Sequence, residues 1–205
     1  MRPMRDYAGT GVVAQTVTSG LHATLVEFER SVWPQQWNKL GLLYAPINDL
    51  SAGDLYFRTN DGALSVIRAT DVPEGQAHIS PNGAWMAWTQ TEAGGSQIYI
   101  EAFPPNGGRR LRVEVANGGR PTWSADGAAL YVTSHDRLLR VPLTENDGLT
   151  LGEPSFIREL GTPYKPGVDP YDVSSDESRI IYVHTTYPEP PVVVRISNWS
   201  ELLLD

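Results

Sequence analysis

The sequence predicts an all-β fold: a β-propeller of about four four-stranded antiparallel blades, either part of a larger propeller or a small closed ring. Three observations predict it. One phrase recurs, a bulky apolar residue, a serine, a short turn and an apolar run. It stands at Ile79-Ser80-Pro81-Asn82-Gly83, Trp123-Ser124-Ala125-Asp126-Gly127 and Val173-Ser174-Ser175-Asp176-Glu177, with the serines 44 and 50 residues apart, and in damaged form near Trp37-Asn38-Lys39. Repeats of this length cannot each bury a hydrophobic face alone, so they must stack. After each turn comes a triplet that is apolar at every position: Leu42-Leu43-Tyr44, Met86-Ala87-Trp88, Leu130-Tyr131-Val132 and Ile180-Ile181-Tyr182. Neighbouring strand residues point to opposite faces, so each triplet asks for burial on both faces, as in a sheet pressed between two others. Finally, 19 Gly, 16 Pro, 6 Trp and 9 Tyr, with Val and Ile in short runs, favour many short strands.

The elements follow in order. Residues 1–21 form a poorly defined N-terminal segment, and blades occupy about 22–70, 71–117, 118–164 and 165–205. In the first blade the strands are Val32 to Trp37, Leu40 to Ala45, Gly53 to Thr59 and Ala63 to Ala69, with a shortened first turn at Asn38-Lys39. The second has Gln76 to Ile79, Ala84 to Gln90, Ser96 to Phe103 and Arg109 to Ala116, its hairpin turned by Gly83, which accepts the positive φ that a side chain resists. The third has Arg120 to Trp123, Ala128 to Thr133, Arg137 to Leu143 and Ser155 to Leu160. The fourth offers Tyr171 to Val173, Ser178 to His184 and Val192 to Ser197, and then lacks an outer strand. His22 to Glu29 is a spare strand that would complete that blade and close the ring. Left open, the stack would show two apolar side faces and a strand edge, which predicts dimerisation or aggregation. A short capped helical turn is expected after Asn198, with Glu201 three residues on.

The phrases Ser-Pro-Asn-Gly at Ser80 and Ser-Ala-Asp-Gly at Ser124 resemble the Ser-Pro-Asp-Gly signature of TolB-like, or WD-repeat-like, propellers. The strands Gly53-Asp54-Leu55-Tyr56-Phe57 and Gln97-Ile98-Tyr99-Ile100 are similar to that family's Asp-Ile-Tyr-Val strand. The segment Ile98 to Gly108 and the ending Ser197-Asn198-Trp199-Ser200-Glu201-Leu202 resemble propellers that follow bacterial serine/threonine protein kinases. The resemblance covers about residues 22–205 and implies six or more blades where four are counted. It also implies a sensor or interaction role. Glu177 departs from the pattern, standing where the turn glycine belongs, and no kinase motif is present.

Composition narrows the function. A net charge of −8 offers no basic face for nucleic acid, and Arg109-Arg110-Leu111-Arg112 reads as a solvated strand edge. Without cysteine there is no thiolate nucleophile, disulfide or Cys-based zinc site. No run of ~18 apolar residues encodes a membrane span, and the start lacks the apolar core of a secretion signal. A soluble chain of open compartment is expected. The acids Asp169, Asp172, Asp176 and Glu177 are the densest carboxylate group, yet Asp176 already serves as a turn former and the ligand spacing of a calcium loop is missing. His22, His78, His135 and His184 lie far apart. There is no Gly-x-Ser-x-Gly elbow, and Ser80, Ser124 and Ser174 recur, which marks them as hydrogen-bonding turn residues rather than nucleophiles. Trp37, Trp85, Trp88 and Trp123 fall in strand columns expected to pack in or near the core, with Trp33 and Trp199 freer.

No catalytic, cofactor-binding or metal-ligating residue is therefore assigned, and no cofactor. The expected function is a non-enzymatic module whose turn loops face a protein or peptide partner. The alternative is a metal-dependent hydrolase or lyase at the propeller channel, where the first strands would present Gln36, His78, Thr122 and Asp172.

Overall fold

A computed structural model describes residues 10–15, 20, 22–28, 32–48, 51–160 and 171–182. Expectations for Val192 to Ser197, the tail after Asn198, Trp199, Asp169 and His184 lie outside these residues. Within them the chain is strand and turn, with no helix. A hairpin of β1 (Thr10–Gln15) and β2 (His22–Phe28) comes first. Blade I contains β3 (Val32–Trp37), β4 (Gly41–Asn48), β5 (Ser51–Ala52), β6 (Leu55–Thr59) and β7 (Leu64–Arg68). Blade II is β8 (Glu74–Ile79), β9 (Trp85–Glu92), β10 (Gly95–Ala102) and β11 (Leu111–Val113). Blade III is β12 (Gly118–Trp123), β13 (Ala129–Ser134), β14 (Arg137–Glu145), β15 (Leu149–Leu151) and β16 (Ser155–Glu159). Of blade IV, β17 (Tyr171–Val173) and β18 (Ile180–Tyr182) are described. Each blade is an antiparallel meander in sequence order.

The outer edge of blade III differs from expectation. β14 runs past the end of β16, and its last residues, Leu143 to Glu145, pair instead with β15, so two short segments share one edge. Blade I does the same on a smaller scale, with β5 and β6 dividing one edge of β4.

The turns hold because each motif serine works twice. Ser80 Oγ donates to Asn82 Oδ1 at 2.7 Å and accepts from the Trp85 amide at 3.0 Å. Ser124 does the same with Asp126 and Ala129 (2.7 and 2.8 Å), and Ser174 with Asp176 and Arg179 (2.6 and 2.9 Å). Asp176 also accepts from the Ser178 amide and hydroxyl. These donors, led by the Ser174 hydroxyl, pull its carboxyl down to about 2. It is bound within its own turn, so the acidic cluster reads as turn structure. Gly83 and Gly127 take φ of 81° and 76°, and Glu177 reaches 54° in the same place. The strain of that unusual residue is offset by contacts a glycine could not make: its carboxylate accepts from Tyr131 Oη and lies 3.7 Å from Arg140 Nε.

The triplets pack with strict alternation. Leu43 with Met86 and Trp88 lies in the core between blades I and II, Ala87 with Leu130 and Val132 between II and III, and Tyr131 with Ile180 and Tyr182 between III and IV. The outer two residues of each triplet face the preceding blade and the middle one faces the next, as period-two strands stacked face to face require. Trp88 is fully buried, and its truncation to Ala would cost about 3–5 kcal/mol.

Two expectations need correction. The last triplet is not closed on both faces, since Ile181 is 73% exposed. Trp37 is not a core residue, being 60% exposed. The strand β2 pairs along one edge with β1, and Val26 joins Leu42 and Tyr44 of blade I; the strand Val192 to Ser197 that it was expected to follow in blade IV lies outside the described residues. The Arg109–Arg112 run is the solvated edge expected: Arg110 stacks over Tyr99 at 4.9 Å and Arg112 donates to Gln97.

Candidate functional site

The first strand of each blade carries a side-chain girdle that ties it to the next. Gln36 matches backbone with its amide, donating to the Ile79 carbonyl at 3.1 Å and accepting from the Ile79 amide at 2.8 Å. Gln35 accepts from the Ala77 amide, and one blade further Gln76 accepts from the Arg120 amide at 2.8 Å. His78 Nδ1 lies 2.6 Å from the Pro121 carbonyl, which fixes Nδ1 as the protonated nitrogen. The indole of Trp123 donates to the His78 carbonyl at 2.9 Å, and Tyr171 Oη donates to the Arg120 carbonyl at 2.5 Å.

These bonds are made at a bulge that recurs in all three complete blades. The ladder slips between Pro34 and Gln36, between Gly75 and His78, and between Gly119 and Thr122. Gln76 and Arg120 take left-handed φ of 51° and 53° there. A bulge re-aims the residues around it and leaves amides outside the ladder, and the glutamines supply their acceptors.

A cleft of about 460 Å³ opens beside this girdle, where the first-strand ends of blades I to III meet. Its walls are Leu40, Ile79, Pro81 and Trp123, with Lys39 exposed at the rim. Gln36, His78 and Thr122 meet there, as expected of equivalent blade positions, while Asp172 does not line it and instead accepts from the Val173 amide. Ser80 and Ser124 line it too, with hydroxyls occupied by their turns. A smaller cleft of about 160 Å³ shares Ser80 and Trp123 with the first and reaches Glu145. Glu145 accepts there from Trp85 Nε1 (2.9 Å) and Asn82 Nδ2 (3.1 Å). The two clefts therefore make a track across blades II and III on either side of the Trp123 indole.

Sequence reasoning missed Lys39 and Leu40, because the shortened first turn looked merely worn. That turn closes tightly, with the Leu40 amide bonded to Asn38 Oδ1 at 2.8 Å, and it sets Leu40 against the neighbouring hairpin: a Cβ at Gly83 would come within 2.9 Å of Leu40 Cδ1. Lys39 between Asn38 and the apolar Leu40 was the available signal. Among the described residues no group of three or more His, Asp or Glu side chains is placed to hold a metal ion. No described helix is long and apolar enough to cross a membrane.

No protein-family model matches the chain, and no curated protein matches it. Solved structures do. TolB from Acinetobacter baumannii is 19% identical, with a TM-score of 0.60 over 82% of this chain and 41% of that one. A putative TolB from Agrobacterium tumefaciens is 15% identical, with a TM-score of 0.58 over 85% of this chain and 69% of that one. An oligogalacturonate lyase in complex with manganese is 11% identical, with a TM-score of 0.61 over 84% of this chain and 50% of that one. The chain thus spans about two fifths of the length of the Acinetobacter protein. Likeness at these identities is likeness of fold, and together with the stacked meanders it makes the chain a β-propeller, the fold of these structures.

Proposed function

We propose that the chain is a non-enzymatic binding module, and that the track beside Trp123 takes an extended peptide segment of a protein partner. The carrying observation is the chemistry of the larger cleft. Its walls are apolar, and its inward polar groups, the Gln36 amide and His78 Nδ1, are engaged with backbone of the next blade. Such groups shape a surface and hold it rigid; they are poor candidates for proton transfer. Leu40, Ile79, Pro81 and Trp123 suit one apolar side chain, and Lys39 suits a carboxylate next to it. The preferred segment is an apolar anchor flanked by Asp or Glu. In a longer signalling protein this site would serve as the sensor or docking part.

The test is a selection of random displayed peptides against the purified chain, followed by titration of the winners. Enrichment of acidic-flanked apolar anchors is expected. Ala125→Arg, which sets a long side chain on the exposed lip of the cleft, should weaken them by about tenfold or more, equivalent to ~1.4 kcal/mol. Lys39→Glu should weaken the acidic winners selectively. Peptides that bind both variants like the parent would show that the cleft is not the site.

A further inference from the structure

The track ends in opposite charges. At the blade I end Lys39 stands exposed on the rim of the larger cleft, and at the blade III end the smaller cleft closes on Glu145. Among the described residues neither is joined to an opposite charge; the ion pairs there are Arg68 with Glu101 and Arg140 with Glu177. Glu145 is nevertheless fixed. Its Oε1 accepts from Trp85 Nε1 at 2.9 Å and its Oε2 from Asn82 Nδ2 at 3.1 Å. Both donors are neutral, so the charge is held in place without being cancelled, and each oxygen keeps a lone pair for a further donor. Asn82 stands where the next two motif turns carry Asp126 and Asp176. Its Oδ1 does the same work in the turn, accepting from Ser80 and the Ala84 amide, while its amide reaches Glu145, which a carboxylate could not do.

The rest of the smaller cleft suits a flat cation on an apolar stem. The indoles of Trp85 and Trp123 line it, oriented by their bonds to Glu145 and to the His78 carbonyl, and the buried Leu143 and Leu149 lie with them. A guanidinium can lie against an indole while it donates to a carboxylate, and its methylenes can cover leucine. We propose that the smaller cleft is a subsite for an arginine side chain of the partner segment, with Glu145 as its counter-charge. This deepens the peptide-docking reading and rests on it. The two clefts share Ser80 and Trp123, and side chains on one side of an extended segment recur at every second residue. The motif is therefore an apolar anchor with arginine two residues away and an acid on the other side, toward Lys39. Opposite charges at the two ends give the segment one direction across the blades.

The test follows the Trp85 indole N–H by NMR of the nitrogen-labelled chain. The probe is Nα-acetylarginine amide, and its neutral citrulline analogue is the control. Glu145→Gln removes the charge and keeps an acceptor for Trp85; Asp147→Asn removes an exposed charge nearby that does not line the cleft. A saturable shift is expected with the arginine probe on the parent and on Asp147→Asn, and none with citrulline or on Glu145→Gln. Among displayed peptides selected on the parent, arginine two residues from the anchor should be enriched. Glu145→Gln should weaken those winners about tenfold and change winners without arginine by less than about twofold. A response that citrulline reproduces, that survives Glu145→Gln or that Asp147→Asn also removes would overturn the subsite. Acidic, apolar-anchored winners without arginine, together with a silent probe, would overturn it and leave the peptide reading standing. A saturable arginine response with no peptide winners would do the reverse.

Discussion

Glu74 is fully buried at the junction of blades I and II, an unusual place for a carboxylate. Thr70 Oγ1 donates to its Oε1 at 2.6 Å, while Oε2 has no hydrogen-bond partner. Nearby, Arg68 is committed to Glu101 through a bidentate pair at 2.8 and 3.0 Å and stacks over Trp88. Burial accordingly raises the Glu74 pKa, and the Thr70 bond and Arg68 oppose that rise without cancelling it. The sign for stability follows. A carboxyl with a raised folded-state pKa favours the fold fully below the ordinary glutamate value, and that contribution is lost as pH climbs through the folded value. Glu74→Gln keeps an acceptor for Thr70 without the charge, so it should melt higher than the parent at pH 7, with the gap closing as pH falls toward about 4. A gap that is independent of pH would show that the charge is not its cause, and a variant that melts lower at pH 7 would show the carboxylate to be a net stabiliser. Nothing in the sequence marked Glu74. It precedes the expected first strand, Gln76 to Ile79, and only the packing of blade I onto blade II removes it from water. The motif serines and aspartates lie at the other extreme of legibility, because their bonds close within two to five residues and are therefore written in the local sequence.

Strand positions could be read because each answers to a local rule: alternation for the triplets, glycine or Asx chemistry for the turns. Observed strands fall within a few residues of expectation through blades I to III. The recurrent bulge could not be read, since Gln76 and Arg120 adopt left-handed φ without being glycine, and what holds them is a bond from another blade. For the same reason the site was half legible: equivalent positions named Gln36, His78 and Thr122, but nothing local told that the Gln36 amide would be occupied by Ile79. Trp37 was misread because strand membership implies burial only if a neighbouring blade covers that face. The girdle makes a definite claim about how one blade is coupled to the next. Gln36→Ala strands the amide and carbonyl of buried Ile79 and should cost about 2–3 kcal/mol by denaturant titration. Gln36→Glu, which keeps one acceptor, should recover part of it. A cost below ~0.5 kcal/mol for the alanine variant would mean that water replaces the amide, and that the blades are joined by apolar contact alone.

At the scale of the molecule, a row of blades is a one-dimensional stack in which each unit is stabilised by its neighbours. Blade II is covered on both faces by packed cores, with Met86, Ala87, Trp88, Ile98 and Ile100 all fully buried. Among the described residues, blade IV has one such face, toward Tyr131 and Leu138, and on the other Ile181 stands in solvent. A unit with a single interface opens without dragging the rest, so local opening should be graded along the chain rather than uniform. Hydrogen exchange in dilute solution should show β9 and β10 amides exchanging slowest, through global unfolding, and β17 and β18 exchanging orders of magnitude faster. Uniform protection across blades II to IV at high dilution would contradict a stack closed by neighbours only, because it would require blade IV to draw its stability from a contact that the exposed Ile181 does not make.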